Sequence, residues 1–177
     1  AWSPQTPRRF SVHGELKDRG GRCTCGPWGG FRTIRTDGDR ILLNDQPIRL
    51  RGVLDWGHEP RHIAPAPTMA EVRSRFATLR SMGFNTVCVC MWYAPRSFYE
   101  IADATGMLVW QEHPVWQSRM DDEDVEAYKR HYASFMRRDA RHPSVAHVSA
   151  TCEHPSFHPE LGAWWWSPAR ERLPPVS

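Results

Sequence analysis

The chain has 177 residues, 40% of them hydrophobic and 24% charged, with 9 Trp. That composition is globular and fits one domain of ordinary size, and no apolar run approaches the roughly 20 residues of a membrane span. The net charge is +3, with both signs interspersed and no basic stripe carrying interleaved aromatics, which argues against nucleic acid as a partner. All but two of the 23 basic residues are arginine, a bias we read as genomic base composition. The start, AWSPQTPRRF, has neither an initiator Met nor a basic stretch followed by an apolar core. No signal peptide is expected from it, and the compartment stays open.

Residues 1–36 read as extended chain. RFSVHGEL alternates, KDRGGR is a turn, and CTCGPWGGFRTIRT continues with Gly and Pro punctuation, so a β-hairpin of about two strands is expected. Two strands cannot make a core of their own, so they must lie against something else. From Asp37 the pattern changes. DGDRILLNDQPIRLRGV gives a short hairpin and then an apolar strand near Ile48 to Val53. TMAEVRSRFATLRSMG follows with Val72, Phe76, Leu79 and Met82 at helical spacing, Thr68 as N-cap, Glu71 three residues on, and Gly83 as the stop.

FNTVCVC is a strand, PRSFYEIADATG a helix closed by Gly106, and MLVWQE another strand. DDEDVEAYKRHYASFMRRDARHP is a long helix with acids in its first turn and bases in its last, complementing its dipole. SVAHVSA is the fourth strand. Strands this apolar, alternating with helices, predict an α/β fold with a parallel sheet, either an open doubly wound sheet or a (β/α)8 barrel. No G-x-G-x-x-G loop follows the first strand, which lowers the nucleotide-binding version.

In a barrel, chemistry collects just past the C-terminal strand ends. The expected strand ends carry Arg51, Asp55, Trp56 and His58, then Met91, Trp92 and Tyr93, then Glu112, His113 and Trp116, then Cys152, Glu153 and His154. The opposite ends offer turn residues such as Gly83, Asn85 and Pro143. Carboxylates among tryptophans suit carbohydrate, because indole faces pack on sugar C–H while carboxylates and Arg take hydroxyls. Glu153 suits a general acid if apolar neighbours raise its pKa. It could equally cap a loop or pair with an Arg. Glu112 could contact substrate or only support it, and Trp56, Trp92 and Trp116 could be core.

The five cysteines fall as Cys23 and Cys25, Cys88 and Cys90, and Cys152, which is no disulfide framework. Cys88 and Cys90 share one face of their strand and read as small buried hydrophobes, with zinc as the alternative. No metal or cofactor is assigned.

Three segments resemble glycoside hydrolase family 2, the β-galactosidase, β-glucuronidase and β-mannosidase group. AWSPQTPRRFSVHGEL is similar to the family's W-S-P-E-x-P segment, and GFRTIRTDGDRILLNDQPIRLRGV to its G-F-R-x-I and L-N-G-x-P-x-x-L-R-G-V join. RRDARHPSVAHVSATCEHP resembles R-D-x-N-H-P-S-V-x-x-W-S-x-x-N-E. The resemblance covers roughly residues 1 to 155. It implies an α/β chain forming the N-terminal half of a (β/α)8 TIM barrel, preceded by the last strands of an immunoglobulin-like β-sandwich. The implied boundaries are 1–36 for the sandwich strands, 37–155 for barrel strands one to four, and 156–177 for an irregular tail.

By the same resemblance Glu153 takes the acid/base position of a retaining glycosidase. Arg51, Asp55, Trp56, Trp92, Glu112, Trp116 and Cys152 fall around the sugar. Three departures mark a divergent member. Cys152 stands where the family has Asn, RGVLDWGHEP replaces R-G-V-N-x-H, and MWYAP replaces the His-Tyr-Pro segment. No later strand end carries the second Glu that acts as nucleophile, since only Glu160 and Glu171 follow, so the chain is expected to be a fragment without turnover of its own. The alternatives are a non-catalytic carbohydrate-binding or scaffold half barrel, and a metal-dependent hydrolase using His58, His62, Glu153 and His154. Unpaired sheet edges on a half barrel predict self-association.

Overall fold

Local chemistry sets the elements of the computed structural model, which describes residues 1–11, 14–18, 21–25, 28–116, 122–139, 141–152 and 160. The chain begins with short antiparallel pieces. β1 (Phe10–Ser11) pairs with β4 (Trp28–Gly29), and between them β2 (Gly14–Asp18) and β3 (Gly21–Cys25) form the hairpin expected around KDRGGR. β5 (Ile34–Asp37), β6 (Arg40–Leu43) and β7 (Gln46–Ile48) make a three-stranded antiparallel sheet. Its second turn is built on Asn44 and Asp45, both with positive φ, the backbone a tight two-residue hairpin needs.

That turn corrects one expectation. The apolar strand foreseen near Ile48 to Val53 is two strands, because Ile48 closes β7 against Ile41 while the parallel sheet starts with β8 (Gly52–Asp55). Arg51 therefore precedes its strand rather than following it.

β8, β9 (Thr86–Val89), β10 (Leu108–Glu112) and β11 (Val145–Ser149) form a parallel sheet in chain order. The connections are helical: α1 (Met69–Ser81), α2 (Arg96–Thr105) and α3 (Asp122–Arg138). α1 starts in the expected capping box, Thr68 and Glu71 satisfying each other's backbone N–H. α2 stops at Gly106, whose φ of +74° is the left-handed conformation glycine adopts at low cost. A side chain there would also strike the carbonyl oxygen of Pro4, 2.3 Å from an added Cβ. Among the described residues no helix is long and apolar enough to cross a membrane.

Strand alternation sorts the side chains. Val87, Val89, Val109 and Val145 point to the helices and build the core with Val72, Phe76, Phe98, Ile101, Val125 and Phe135. Leu54, Cys88, Trp110 and His147 stand in register on the other face, which the helices leave uncovered, and Leu54 is 61% exposed. Both flanking strands of this sheet, β8 and β11, have a named strand on one side only among the described residues.

The N-terminal end of the sheet is tied by one buried acid. Asp103 of α2 is fully enclosed. Its Oδ2 lies 2.6 Å from Nδ1 of His142, and its Oδ1 accepts the Ser144 backbone N–H at 3.0 Å. Its carbonyl accepts the indole N–H of the buried Trp2 at 2.9 Å. Arg32 donates to Pro143 O at 3.0 Å and to Val145 O, so the early segment and the start of β11 are stitched together. Asp103→Ala removes the partner of two buried donors at once. It should lower unfolding stability by about 3 kcal/mol in a urea titration, and Asp103→Asn, which keeps one acceptor, by distinctly less.

Candidate functional site

The C-terminal ends of the four parallel strands sort the expected site residues into two faces. Asp55 pairs with Val89, and Val89 with Gln111, so all three point toward the helices. Both oxygens of the Asp55 carboxylate accept from one nitrogen of Arg75 on α1, Nη1 lying 2.7 Å from Oδ1 and 2.5 Å from Oδ2. Oδ1 also accepts the Gly57 N–H at 2.8 Å. Glu59 holds the other nitrogen of the same Arg75.

Trp92 lies on this side as well. Its indole N–H donates to Asp55 O at 3.0 Å, its ring meets Phe98 edge-on, and only 8% of it is exposed. A side chain at Gly57, where φ is +70°, would come within 2.4 Å of that ring. Arg51 sits at the other end of the sheet, Nε donating to Gly83 O at 2.7 Å.

Glu112 and the thiols lie on the uncovered side. Glu112 has the parity of Trp110, and Cys90 that of Cys88. Beyond β11 the chain bends back, Cys152 N donating to Val115 O at 3.0 Å and pairing with Trp116 in an isolated parallel bridge. This brings the Cys152 sulfur 3.4 Å from that of Cys90. Met91 takes a positive φ of +66°, which turns the chain sharply between Cys90 and Trp92. Burial, followed by the charge of Glu112, pushes the Cys88 thiol up to about 12. Burial likewise raises Cys90, followed by its hydrogen bonds to Glu112 and Cys152. Trp56 and Trp116 are 52% and 48% exposed. Glu153 and His154 lie outside the described residues, as do Trp164 to Trp166. His62 of the expected metal set is engaged 3.2 Å from Glu71 at the start of α1.

A cavity of about 450 Å³ opens beside β8 rather than at Glu112, lined by Leu54, Asp55, Trp56, His58, Glu59 and Arg75 among others. It borders the rim rather than containing it.

A ring cluster supports the rim from the α3 side. The Tyr93 hydroxyl contacts Nδ1 of His113, whose ring packs edge-on against Tyr128 at 4.4 Å and Tyr132 at 6.0 Å between centroids. Tyr128 OH in turn donates to Ala150 O at 2.6 Å, holding α3 to the end of β11. Tyr128 and Tyr132 stand four apart on α3, a spacing that reads as one helix face without revealing what it meets.

No family model matches the chain. A β-galactosidase of Vibrio vulnificus is 26% identical over 176 residues, 92% of this chain and 17% of that protein. Among solved structures, β-glucuronidase 2 of Bacteroides uniformis, covalently bound to cyclophellitol-6-carboxylate aziridine, is 28% identical with a TM-score of 0.71, over 81% of this chain and 18% of that one. The chain is related to the β-galactosidases and β-glucuronidases of the glycoside hydrolase family 2 kind. It spans about a sixth of the length of the curated relatives it matches. The fold likeness reaches further along the chain: β-glucuronidase 3 of the same Bacteroides matches 99% of it, and 24% of its own chain, at a TM-score of 0.80 and 21% identity.

Burial, and then the positive charge of His131, hold His113 down to about 4, against about 6.5 for a free imidazole. Between those values the unfolded chain takes up a proton that folded His113 refuses. The stability is therefore present above about pH 6.5 and falls away as pH drops toward 4, by as much as about 3 kcal/mol. Denaturation midpoints measured from pH 7 to 4.5 should fall more steeply for the native chain than for His113→Gln. Equal slopes would mean that His113 is not the titrating group.

Proposed function

We propose that the chain forms the first half of the (β/α)8 barrel of a retaining family 2 glycoside hydrolase, with residues 37–155 as strands one to four and 1–36 as the closing strands of an immunoglobulin-like sandwich. One observation carries this reading. Rim side chains converge past the C-terminal ends of β9, β10 and β11, while the opposite end of the sheet is spent on structure by Asp103 and Arg51.

In the intact protein Glu153 protonates the glycosidic oxygen as its bond to the anomeric carbon breaks. A second carboxylate, on a later strand, forms the glycosyl-enzyme from about 5 to 5.5 Å away. Glu153, now ionised, takes a proton from the water that releases the sugar. Glu112 orients groups at this rim, and Trp56 and Trp116 offer exposed indole faces to the sugar ring. Arg51, Asp55 and Trp92 act as framework, since Arg51 Nε, the Asp55 carboxylate and the Trp92 indole N–H are engaged away from the open face.

A second reading is favoured by Cys152. Where the family's Asn would bond the sugar 2-hydroxyl, this thiol faces Cys90, so the rim could hold sugar without catalysing its release.

Two measurements separate these. In the intact protein Glu153→Gln should lower kcat on an aryl β-galactoside and β-glucuronide panel by 10²–10⁴-fold, the order of a lost general acid. No effect across the panel would leave the binding reading, in which Trp56→Ala or Trp116→Ala weakens saturable sugar binding and Glu153→Gln does not. The 177-residue chain alone should release no aryl group above the Glu153→Gln background. Glu153-dependent turnover by this chain would mean that no further carboxylate is required.

A further inference from the structure

We propose that Cys90, Glu112 and Cys152 form a binding site for one thiophilic divalent metal ion, of which zinc is the type. The three residues come from three strand ends. Cys90 follows β9 directly, Glu112 ends β10, and Cys152 lies three residues past β11. The ladders fix Cys90 and Glu112, and the bridge to Trp116 with the bond from Cys152 N to Val115 O fixes Cys152. One Sγ, one carboxylate oxygen and one further Sγ all lie within 4.8 Å of one another.

The second observation is the carboxylate itself. Oε2 of Glu112 is enclosed and accepts no hydrogen bond. A carboxyl oxygen enclosed without a partner is costly, and among the described residues the thiols of Cys88, Cys90 and Cys152 stand beside this half-buried group. Two thiolates and a carboxylate surrounding a divalent cation answer that need.

The sulfur geometry points the same way. At 3.4 Å the Cys90 and Cys152 sulfurs are well beyond the roughly 2.05 Å of a disulfide. Two thiolates about 2.3 Å from a tetrahedral zinc stand near 3.8 Å apart, so the pair would have to spread by only a few tenths of an ångström. Two sulfurs with one carboxylate suit zinc or cobalt and are poor ligands for magnesium or calcium, which take oxygen. Three protein ligands leave a fourth position open, on the uncovered face of the sheet. The site stands independently of the glycosidase reading, because its test involves no turnover.

The full 177-residue chain, fully reduced and metal-free, is titrated with Co(II) without oxygen. The expected result is a thiolate-to-cobalt charge-transfer band that saturates at one equivalent and is bleached by Zn(II). Cys90→Ser and Cys152→Ser should each weaken cobalt binding by about tenfold or more, and Cys23→Ser with Cys25→Ser should leave it unchanged. A band that is absent at one equivalent, that survives both Cys90→Ser and Cys152→Ser, or that depends on Cys23 and Cys25 overturns the site. Should the serine variants fail to fold by circular dichroism, zinc-edge X-ray absorption on the native chain decides. Two sulfurs with oxygen or nitrogen neighbours support the site, and an all-sulfur or sulfur-free shell overturns it.

Discussion

Asp103 carries a carboxylate with no accessible surface, and what surrounds it decides where the fourth parallel strand begins. A buried acid is tolerated only when its oxygens are met by donors, and the loop before β11 supplies them, from the His142 ring and the Ser144 backbone. Trp2 and Arg32 come from far away in sequence to close the same region, through Asp103 O and through Pro143 O and Val145 O. The constraint has a reach. Once Val145 is fixed opposite Val109, the ladder carries the register past its irregularity to Glu112 and Ser149 at the other end. The Asp103 network and the Cys90, Glu112 and Cys152 cluster thus sit at opposite ends of the same strands.

Parity then divides the rim. A residue at a strand end faces either the helices or the open side, and nothing between is available to it. Asp55 falls on the helix side, where Arg75 waits, and becomes a clamp for α1. Trp92 has the parity of Cys90, but the positive φ at Met91 turns it to the helix side, where it becomes core, closed over a glycine that has no room for a Cβ. Glu112 and Cys90 fall on the open side. The difference between framework and site at this rim is one residue of strand register.

Much of this was legible from the residues. The Thr68–Glu71 box, the stop at Gly106 and the four parallel strands all follow from local signals, because capping, left-handed glycine and apolar alternation act over a few residues. The sharing of a face by Cys88 and Cys90 was legible for the same reason. The strand placed near Ile48 to Val53 was not, because one apolar run served two sheets and the Asn44–Asp45 turn decided the division. The roles of Asp103 and of Asp55 were hidden too. Each depends on a partner 20 or more residues away, Arg75 for one and His142 for the other, and no spacing in the sequence announces such a meeting.

Cys152 shows how a single side chain sets the character of a rim. A side-chain amide there could both donate and accept, and would present its donors to a hydroxyl. A thiol is a weak donor, and it lies 3.4 Å from a second thiol, next to a carboxylate with one enclosed oxygen that accepts no hydrogen bond. The effect is cumulative. Cys90 and Cys152 are each an ordinary buried thiol and Glu112 a half-buried carboxyl group, but together they place sulfur and oxygen donors around one point. Cys152 is followed directly in sequence by Glu153, so the chemistry available at this rim depends on how the thiols and Glu112 are satisfied.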